Sequence, residues 1–500
     1  MIGILKRKQM KSTKIKLGIN IAFLLAISLV SCDSWLDIQP KGKVLLTSAE
    51  EYGLLFDNLS TVHYNNSDFA YLDDEGWRNA SNITSVWNSW NLVAANMLYL
   101  SNEAYDRSFN ASGNTGGSTL YHDTYKNIAK ISNTILFEKD RIAGTEVEVN
   151  EVVAQAKMLR ALGYFMLINT YAKPFNASTA ATDGGVPLKL DPYIETRPDP
   201  AKSTVAEVYA QIEQDINEAI PALYKTAKTS YRFNQAAAYT FKAKVHLFKK
   251  EFDACIAAAI QSYNLNKETF DLVNLVNPAT NKPTVPLDAS GKENLYFATT
   301  SSNNTYIGQE LIDLMQMGLE DYGMSATVTD ARLGLYKRPA ATIFDYMFIL
   351  NWVPNVKDYS PNVVGFTTVE NILMLAECYA RKGQNDKVKE YLKPYLTSRY
   401  TNYVHEDLVL PNNIEATVRF VIDERRKELT RGVNRFFDLR RLNTETAYQK
   451  IPSRLFPADP VASPSVPQQT YILPVNSPLY ILPFPSMVLE NDSRLTSNTW

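Results

Sequence analysis

The chain has 500 residues, of which 45% are hydrophobic and 11% aromatic, enough apolar material for a large packed core. Its 51 basic and 53 acidic residues leave a formal charge of −2, so nothing favours nucleic acid or another polyanion as a partner. Three cysteines are too few for a disulfide-built fold.

Lys6, Arg7, Lys8, Lys11, Lys14 and Lys16 form a basic head before an apolar run, Leu17 to Val30, broken only by Gly18, Asn20 and Ser28. At ~1.5 Å per residue the run reaches about 21 Å, short of the ~30 Å hydrocarbon core. Residues 1–31 therefore read as an export signal rather than a membrane span. The segment "LVSC" resembles the bacterial lipobox, in which the cysteine, here Cys32, receives lipid and opens the mature chain. An ordinary cleaved signal with a cysteine nearby is the alternative. No other apolar run approaches spanning length, and residues 32–500 are expected to form a single domain.

Between Tyr71 and Trp90 the chain reads "YLDDEGWRNASNITSVWNSW", which holds half of the six tryptophans. Trp77, Trp87 and Trp90 are interleaved with polar residues, and burying three indoles among them would leave hydrogen bonds to satisfy. A surface site is the sharper reading: indole faces, with Tyr71, stack on a sugar ring while Asp73, Asp74, Arg78 and Asn82 bond its hydroxyls. Alternatively, Trp87 and Trp90, followed by "NLVAANMLYL", begin a helix and pack inward. The loop "TTSSNNTY", ending at Tyr306, is a second candidate wall, and Trp352 a third.

"NASGNTGGST" (Asn110 to Thr119) is a flexible connection. From Glu151 to Tyr171, Val152, Ala156, Leu159, Gly163 and Met166 recur at helical spacing, and the segment Ala161 to Ile168 is apolar nearly all round, so this helix should be central. "KPFNASTAATDGGVPLKLDPYIETRPDP" is an ordered irregular segment. A helix opens at Thr204 with Glu207 in capping-box relation and ends near Pro221. Others start near Asn234 and at Thr367, the latter with Glu370 placed like Glu207. Leu265 to Val364 shows little helical period apart from Gln309 to Met317. "NNIEATVRFVIDERRKELTRG" reads as a helix stopped by Gly432. The last fifty residues, Pro452 through Pro485 included, are extended.

"AKVHLFKKEFDAC" (Ala243 to Cys255) and "AECYARKGQNDKV" (Ala376 to Val388) each read as a helix, a short polar turn and a second helix. They resemble the tetratricopeptide hairpin, in which small residues let two helices approach closely. The copies are far apart, so the hairpins must be dispersed among long insertions. Cys255 and Cys378 fall among apolar neighbours and read as buried free thiols.

Catalysis finds little support. His63, His122, His246 and His405 are scattered, with no zinc-ligand spacing. His246 lies on an apolar helix and reads as a core residue. The triplet Asp73-Asp74-Glu75 offers carboxylates for glycoside hydrolysis, but such triplets are more often turns or hydroxyl acceptors. Arg425, Arg426, Arg435, Arg440 and Arg441 could grip an anion, yet Glu424, Glu428 and Asp438 are interleaved and favour an internal ion-pair network. No cofactor or metal is expected.

"CDSWLDIQPKG", "AKMLRALGYFMLINTYAKPF", "IDERRKELTRGVNRFFDLRRL" and "YILPVNSPLYILPFPSMVLENDSRL" occur in the order found in the SusD/RagB-like nutrient-binding lipoproteins, which the chain resembles over nearly its whole mature length. Lys250, in place of the usual turn glycine, and the ending "SNTW" depart from the family pattern. The resemblance implies a mainly α fold, a SusD-like α-α superhelix of four tetratricopeptide-like hairpins with a loop-rich ligand-binding face. It also implies a lipid-anchored outer-membrane protein facing the cell surface. As a partner it implies a SusC-like TonB-dependent transporter, to which the chain delivers glycan. A peptide-binding lid of the same architecture, or a structural or adhesive lipoprotein, are the alternatives.

If Cys32 carries the anchor, Cys32→Ala releases the protein from membranes or leaves an unprocessed precursor, as read by membrane fractionation and intact mass. Normal processing with unchanged fractionation would refute the lipid anchor.

Overall fold

The computed structural model describes residues 46–57, 74, 76–77, 119–193, 201–277, 282–285, 287–298, 306–307, 309–337, 353–354, 362–430, 433–456, 469–475, 477 and 480–499. The export signal, Cys32 and Gly432 lie outside the described residues. Among the described residues no helix is long and apolar enough to cross a membrane.

Helix α1 (Thr119–Asn127) runs into a π turn, Ile128–Asn133, and one more helical turn, Thr134–Glu138. None of these was anticipated from the sequence. Next comes α2 (Glu146–Tyr171), which starts earlier than its apolar stripe because Thr145 and Glu148 form a reciprocal capping box. Every residue from Met158 to Tyr171 is buried, so the helix that is apolar all round is the central one. A Cβ on Gly163 would stand 3.1 Å from both Ile128 and Thr124, and the missing side chain is what lets α1 and its π turn lie so close. Arg160 crosses from α2 to Asp215 with two hydrogen bonds of 2.8 and 2.7 Å.

Helix α3 (Val205–Ala219) has the expected capping box, Thr204 with Glu207, and ends in a 3-10 turn containing Pro221. Helix α4 (Gln235–Phe248) is capped by Asn234, whose Oδ1 accepts from Ala237 N at 2.7 Å. It turns into α5 (Phe252–Leu265). After α6 (Gln309–Gln316), the chain makes a second hairpin from α7 (Thr368–Arg381) and α8 (Asn385–Arg399). Both hairpins turn through a left-handed residue, Gly383 at φ +69° and Lys250 at φ +62°. A lysine there carries a cost of order 1–2 kcal/mol that glycine avoids. Helices α9 (Ile414–Glu428) and α10 (Val433–Leu442) follow, and short helical turns lie at Ala49–Leu54, Leu272–Leu275 and Ser486–Asn491, the last inside the tail that was expected to be extended throughout.

The helices stack in sequence: α2 on α3, α3 on α4, α4 on α5, α5 on α7, and α7 on α8 and α9. The two hairpins, remote in the chain, thus become neighbours through α5 and α7, the dispersed arrangement expected. One core cluster surrounds α2, α3 and α4, and another lies between α5, α7, α8 and α9. Cys255 on α5 and Cys378 on α7 are free and fully buried in the second cluster. They touch: the hydrogen bond that the Cys378 S–H donates to Cys255, with burial, pushes the Cys378 thiol well up.

All strands pair antiparallel in twos. They are β1 (Gly76–Trp77) with β7 (Tyr306–Ile307), β2 (Gly184–Pro187) with β3 (Lys202–Thr204), and β4 (Val276–Asn277) with β5 (Lys282–Pro283). The others are β6 (Asn294–Tyr296) with β10 (Phe366–Thr367), β8 (Tyr336–Lys337) with β9 (Val353–Pro354), and β11 (Ser453–Phe456) with β12 (Gln469–Ile472).

Buried charge joins the late helices to the hairpins. Asp438 on α10 accepts from Arg425 Nε at 2.7 Å and Arg441 Nε at 2.6 Å. Arg441 also grips Glu377 of α7 with two bonds of 2.7 Å, and Arg425 reaches Glu370 at 3.0 Å. Lys244 of α4 lies 2.9 Å from the same Glu370 carboxylate. Thr367 still caps α7, accepting from Glu370 N at 3.1 Å, but the Glu370 side chain serves the cations instead of closing the box. Arg440 has carbonyl partners, donating to Asn169 and Ala172 at the C-terminus of α2, and burial pulls its pKa down to about 10.

Burial pushes the Glu377 carboxyl up, but Arg441 and Arg381 outweigh it and hold its pKa at about 2, against an ordinary 4.5. Its stabilising contribution is therefore complete above pH 4.5 and is lost as the pH falls towards 2. Glu377→Gln should cost about 3–5 kcal/mol near neutrality, because it leaves buried guanidinium groups unpaired. In thermal melts across pH, the gap between wild type and variant should shrink below pH 4.5; a gap that does not depend on pH would contradict this account.

Candidate functional site

Trp77 and Tyr306 were singled out from separate stretches of sequence, and the fold brings those stretches together. Strands β1 and β7 pair with Gly76 opposite Ile307 and Trp77 opposite Tyr306. Strand β9 lies against β7 and begins one residue after Trp352, which is itself outside the described residues. All three candidate walls thus meet at, or lead directly into, one group of short strands.

A charged clamp fixes both flanks of the β1–β7 ribbon. Asp74, two residues before β1, accepts from Arg435 Nε at 2.6 Å and Nη2 at 2.7 Å. Arg426 and Lys450 stand 3.6 and 3.5 Å from the same carboxylate. Burial alone would raise the Asp74 pKa, but Arg435, Arg426 and Lys450 hold it well below the usual carboxylate range. On the other flank, Glu310 on α6 accepts from Arg426 Nη1 at 3.0 Å and is bonded by Lys450. Burial again raises and these cations lower its pKa, with the net shift downward.

This geometry corrects the role expected of Asp74. Its side chain is 2% exposed and both oxygens are taken by Arg435, so it anchors the ribbon and leaves sugar hydroxyls to other groups. Tyr71, Asp73, Arg78, Asn82, Trp87 and Trp90 lie outside the described residues. The five arginines of the late helices are all buried and engaged, as the network reading expects. Their partners differ from the expected ones. Of the interleaved acids only Asp438 serves them, while Glu424 pairs with Arg332 and Lys427, and Glu428 with Arg399. The remaining partners, Glu370, Glu377, Asp74 and Glu310, come from distant segments, and helical spacing carries no signal for such pairs.

His246 is buried, with Nδ1 2.6 Å from Glu251 Oε2. Glu213, His246 and Glu251 offer metal-ligating atoms within 4.8 Å of one another. Lys249 bonds both carboxylates, however, and its ammonium already occupies the place a cation would take. His405 lies 2.9 Å from the Tyr403 hydroxyl, remote from that group in the chain, and His63 is outside the described residues.

Two family profiles match the chain. One, SusD-like and described as "Starch-binding associating with outer membrane", spans residues 34–247, and the other, described as "SusD family", spans residues 355–500. A SusD superfamily protein from Bacteroides vulgatus is similar over 91% of this chain and 99% of its own, with 18% identity and a TM-score of 0.64. A second, from Bacteroides thetaiotaomicron, covers 91% and 100% at 17% identity and a TM-score of 0.62. A SusD-like carbohydrate binding protein from Bacteroides vulgatus covers 90% and 98% at 14% identity and a TM-score of 0.59. No curated protein matches in sequence. The helical superhelix with tetratricopeptide-like hairpins, the family profiles at both ends and the structural likeness over nine tenths of the chain agree, and the protein belongs to the SusD/RagB-like family.

Proposed function

We propose that this protein is a cell-surface glycan-binding lipoprotein of the outer membrane, tethered through Cys32, that captures oligosaccharide or polysaccharide and delivers it to a SusC-like TonB-dependent transporter. The proposal has no catalytic step: the protein holds its ligand and passes it on. Membership of a family described by starch binding, and the likeness to a carbohydrate binding protein, support the ligand class. The observation that carries the reading is the β1–β7 ribbon, in which Trp77 and Tyr306 stand opposite one another in register. Two aromatic residues brought together from distant stretches supply what a sugar ring needs, flat apolar surface beside polar partners. The remaining residues of the tryptophan-rich stretch, Tyr71, Asp73, Arg78, Asn82, Trp87 and Trp90, belong to the same proposed face.

Glycan and peptide arrays on the purified protein test the ligand class, and peptide binding without glycan binding would overturn it. With a glycan in hand, Trp77→Ala and Tyr306→Ala should each weaken binding several-fold, the loss of a stacking aromatic being worth ~1 kcal/mol or more. Melting temperatures should stay close to wild type. Undiminished affinity in both variants would move the site off the ribbon. The transporter partnership predicts that a large β-barrel co-purifies from native membranes in mild detergent. Consistent recovery of the chain alone would count against it.

A further inference from the structure

Beside the clamp lies a cleft of about 300 Å³ between α6, α9, α10 and residues 448–450. Its size is at the small end of the range of small-ligand sites, about 300–1,000 Å³. Glu310, Arg426, Arg435 and Lys450, which hold the flanks of the β1–β7 ribbon, also form one of its walls. The cleft therefore adjoins the proposed glycan face while having a lining of its own: Asp423, Arg419, Tyr448 and Gln449.

The cations of this lining are already matched. Arg419 bonds Glu415 at 3.2 and 3.0 Å, Arg435 bonds Asp74, and Arg426 and Lys450 bond Glu310. Asp423 is the exception. Among the described residues its carboxylate accepts no hydrogen bond and has no ion-pair partner within bonding distance. Burial pushes its pKa up, against the pull of Arg426, Lys427 and Arg435. Its partly exposed carboxylate belongs to the cleft lining, where it can accept from the donor groups of a ligand.

We propose that this cleft is a second ligand subsite, taking a neutral, hydroxyl-rich group such as one monosaccharide unit or branch of a bound glycan, with its O–H groups donating to Asp423. Among the described residues the four cations of the lining, Arg419, Arg426, Arg435 and Lys450, are balanced by Glu415, Asp74, Glu310 and Asp423 together, so no surplus charge draws an anion. Arg426, Arg435 and Lys427 around Asp423 disfavour a cationic ligand. What remains unmet is an acceptor, and the ligand that suits it is a neutral donor. Arg419, half exposed at the rim, donates to ring or hydroxyl oxygens. The inference rests on the glycan reading for the class of ligand but on different residues for the site.

The test titrates malto-, xylo- and manno-oligosaccharides and their monosaccharides against the purified mature chain, its Asp423→Ala and Arg419→Gln variants, and Trp77→Ala. Calorimetry gives affinity, and hydrogen exchange read by mass spectrometry follows peptides covering residues 414–428 and 444–450. The expected result is sugar-dependent protection of these peptides in wild type and its loss in Asp423→Ala. Affinity should fall roughly tenfold, the scale of a lost bond to a charged acceptor. Trp77→Ala at saturating sugar should keep the protection. Asp423→Ala should melt no lower than wild type near neutrality, since the carboxylate it removes is unpaired; a purely structural Asp423 would lower stability and leave affinity intact. If that variant fails to fold, Arg419→Gln carries the test, with a several-fold fall expected. Wild-type affinity in whichever variant is measured overturns the subsite, as does the absence of protection by every sugar. Loss of the Trp77 effect with the Asp423 effect retained overturns the ribbon site alone.

Discussion

The pairing of buried arginines on α9 and α10 with carboxylates from elsewhere in the chain is the interaction on which the remaining structure depends. A guanidinium taken out of water costs several kcal/mol unless it is bonded on all sides. Arg425, Arg435 and Arg441 are each at most 5% exposed, so each demands a partner, and the partners are far away in sequence. Glu370 ties α7 to α9 and Glu377 ties it to α10, and Lys244 joins α4 to the same group. Asp74 and Glu310 bring in the two flanks of the β1–β7 ribbon. Such pairs add little net stability over an apolar core, but each one excludes any arrangement that leaves a charge buried alone. Their effect is to select a single docking of hairpins and loops.

Features set by neighbours a few residues apart were readable in the amino-acid sequence. Thr204 with Glu207, Asn234 and Thr367 start their helices as capping chemistry requires. The apolar segment of α2 is central, and Cys255 and Cys378 are buried thiols. The hairpin pattern survives even with Lys250 in the left-handed turn position. Features set by distance were not readable. Helix α1 was missed because its apolar period is interrupted by a π turn. Asp74 sits in an acidic triplet that suggests a solvated turn, and nothing near it in sequence announces Arg435. Trp77 and Tyr306 each stood out by composition, but their register depends on chain folding between them. The expected acid partners of the arginines were chosen by helical spacing, and the fold chose otherwise for all but Asp438.

The scaffold and the proposed ligand face are held by different physics. Helices α2 to α5 and α7 to α9 bury continuous apolar clusters and need little help to stay assembled. The β1–β7 and β8–β9 ribbons have two residue pairs each, too short to stand on their own hydrogen bonds. The first of these takes its position from the clamp at Asp74 and Glu310 rather than from its own ladder. Rigid helices thus hold, through charge, the ribbon on which the proposed ligand face is built.

That division has an evolutionary consequence. The β1–β7 ladder has two residue pairs, so its backbone adds little to the stability of the helices. If the ribbon carries the proposed ligand face, lineages can explore new aromatic and polar combinations at Trp77 and Tyr306 while the buried ion pairs of the helices stay as they are. On the proposed reading, such chains would diverge fastest along the ribbon and slowest at Asp74, whose carboxylate is held by Arg435.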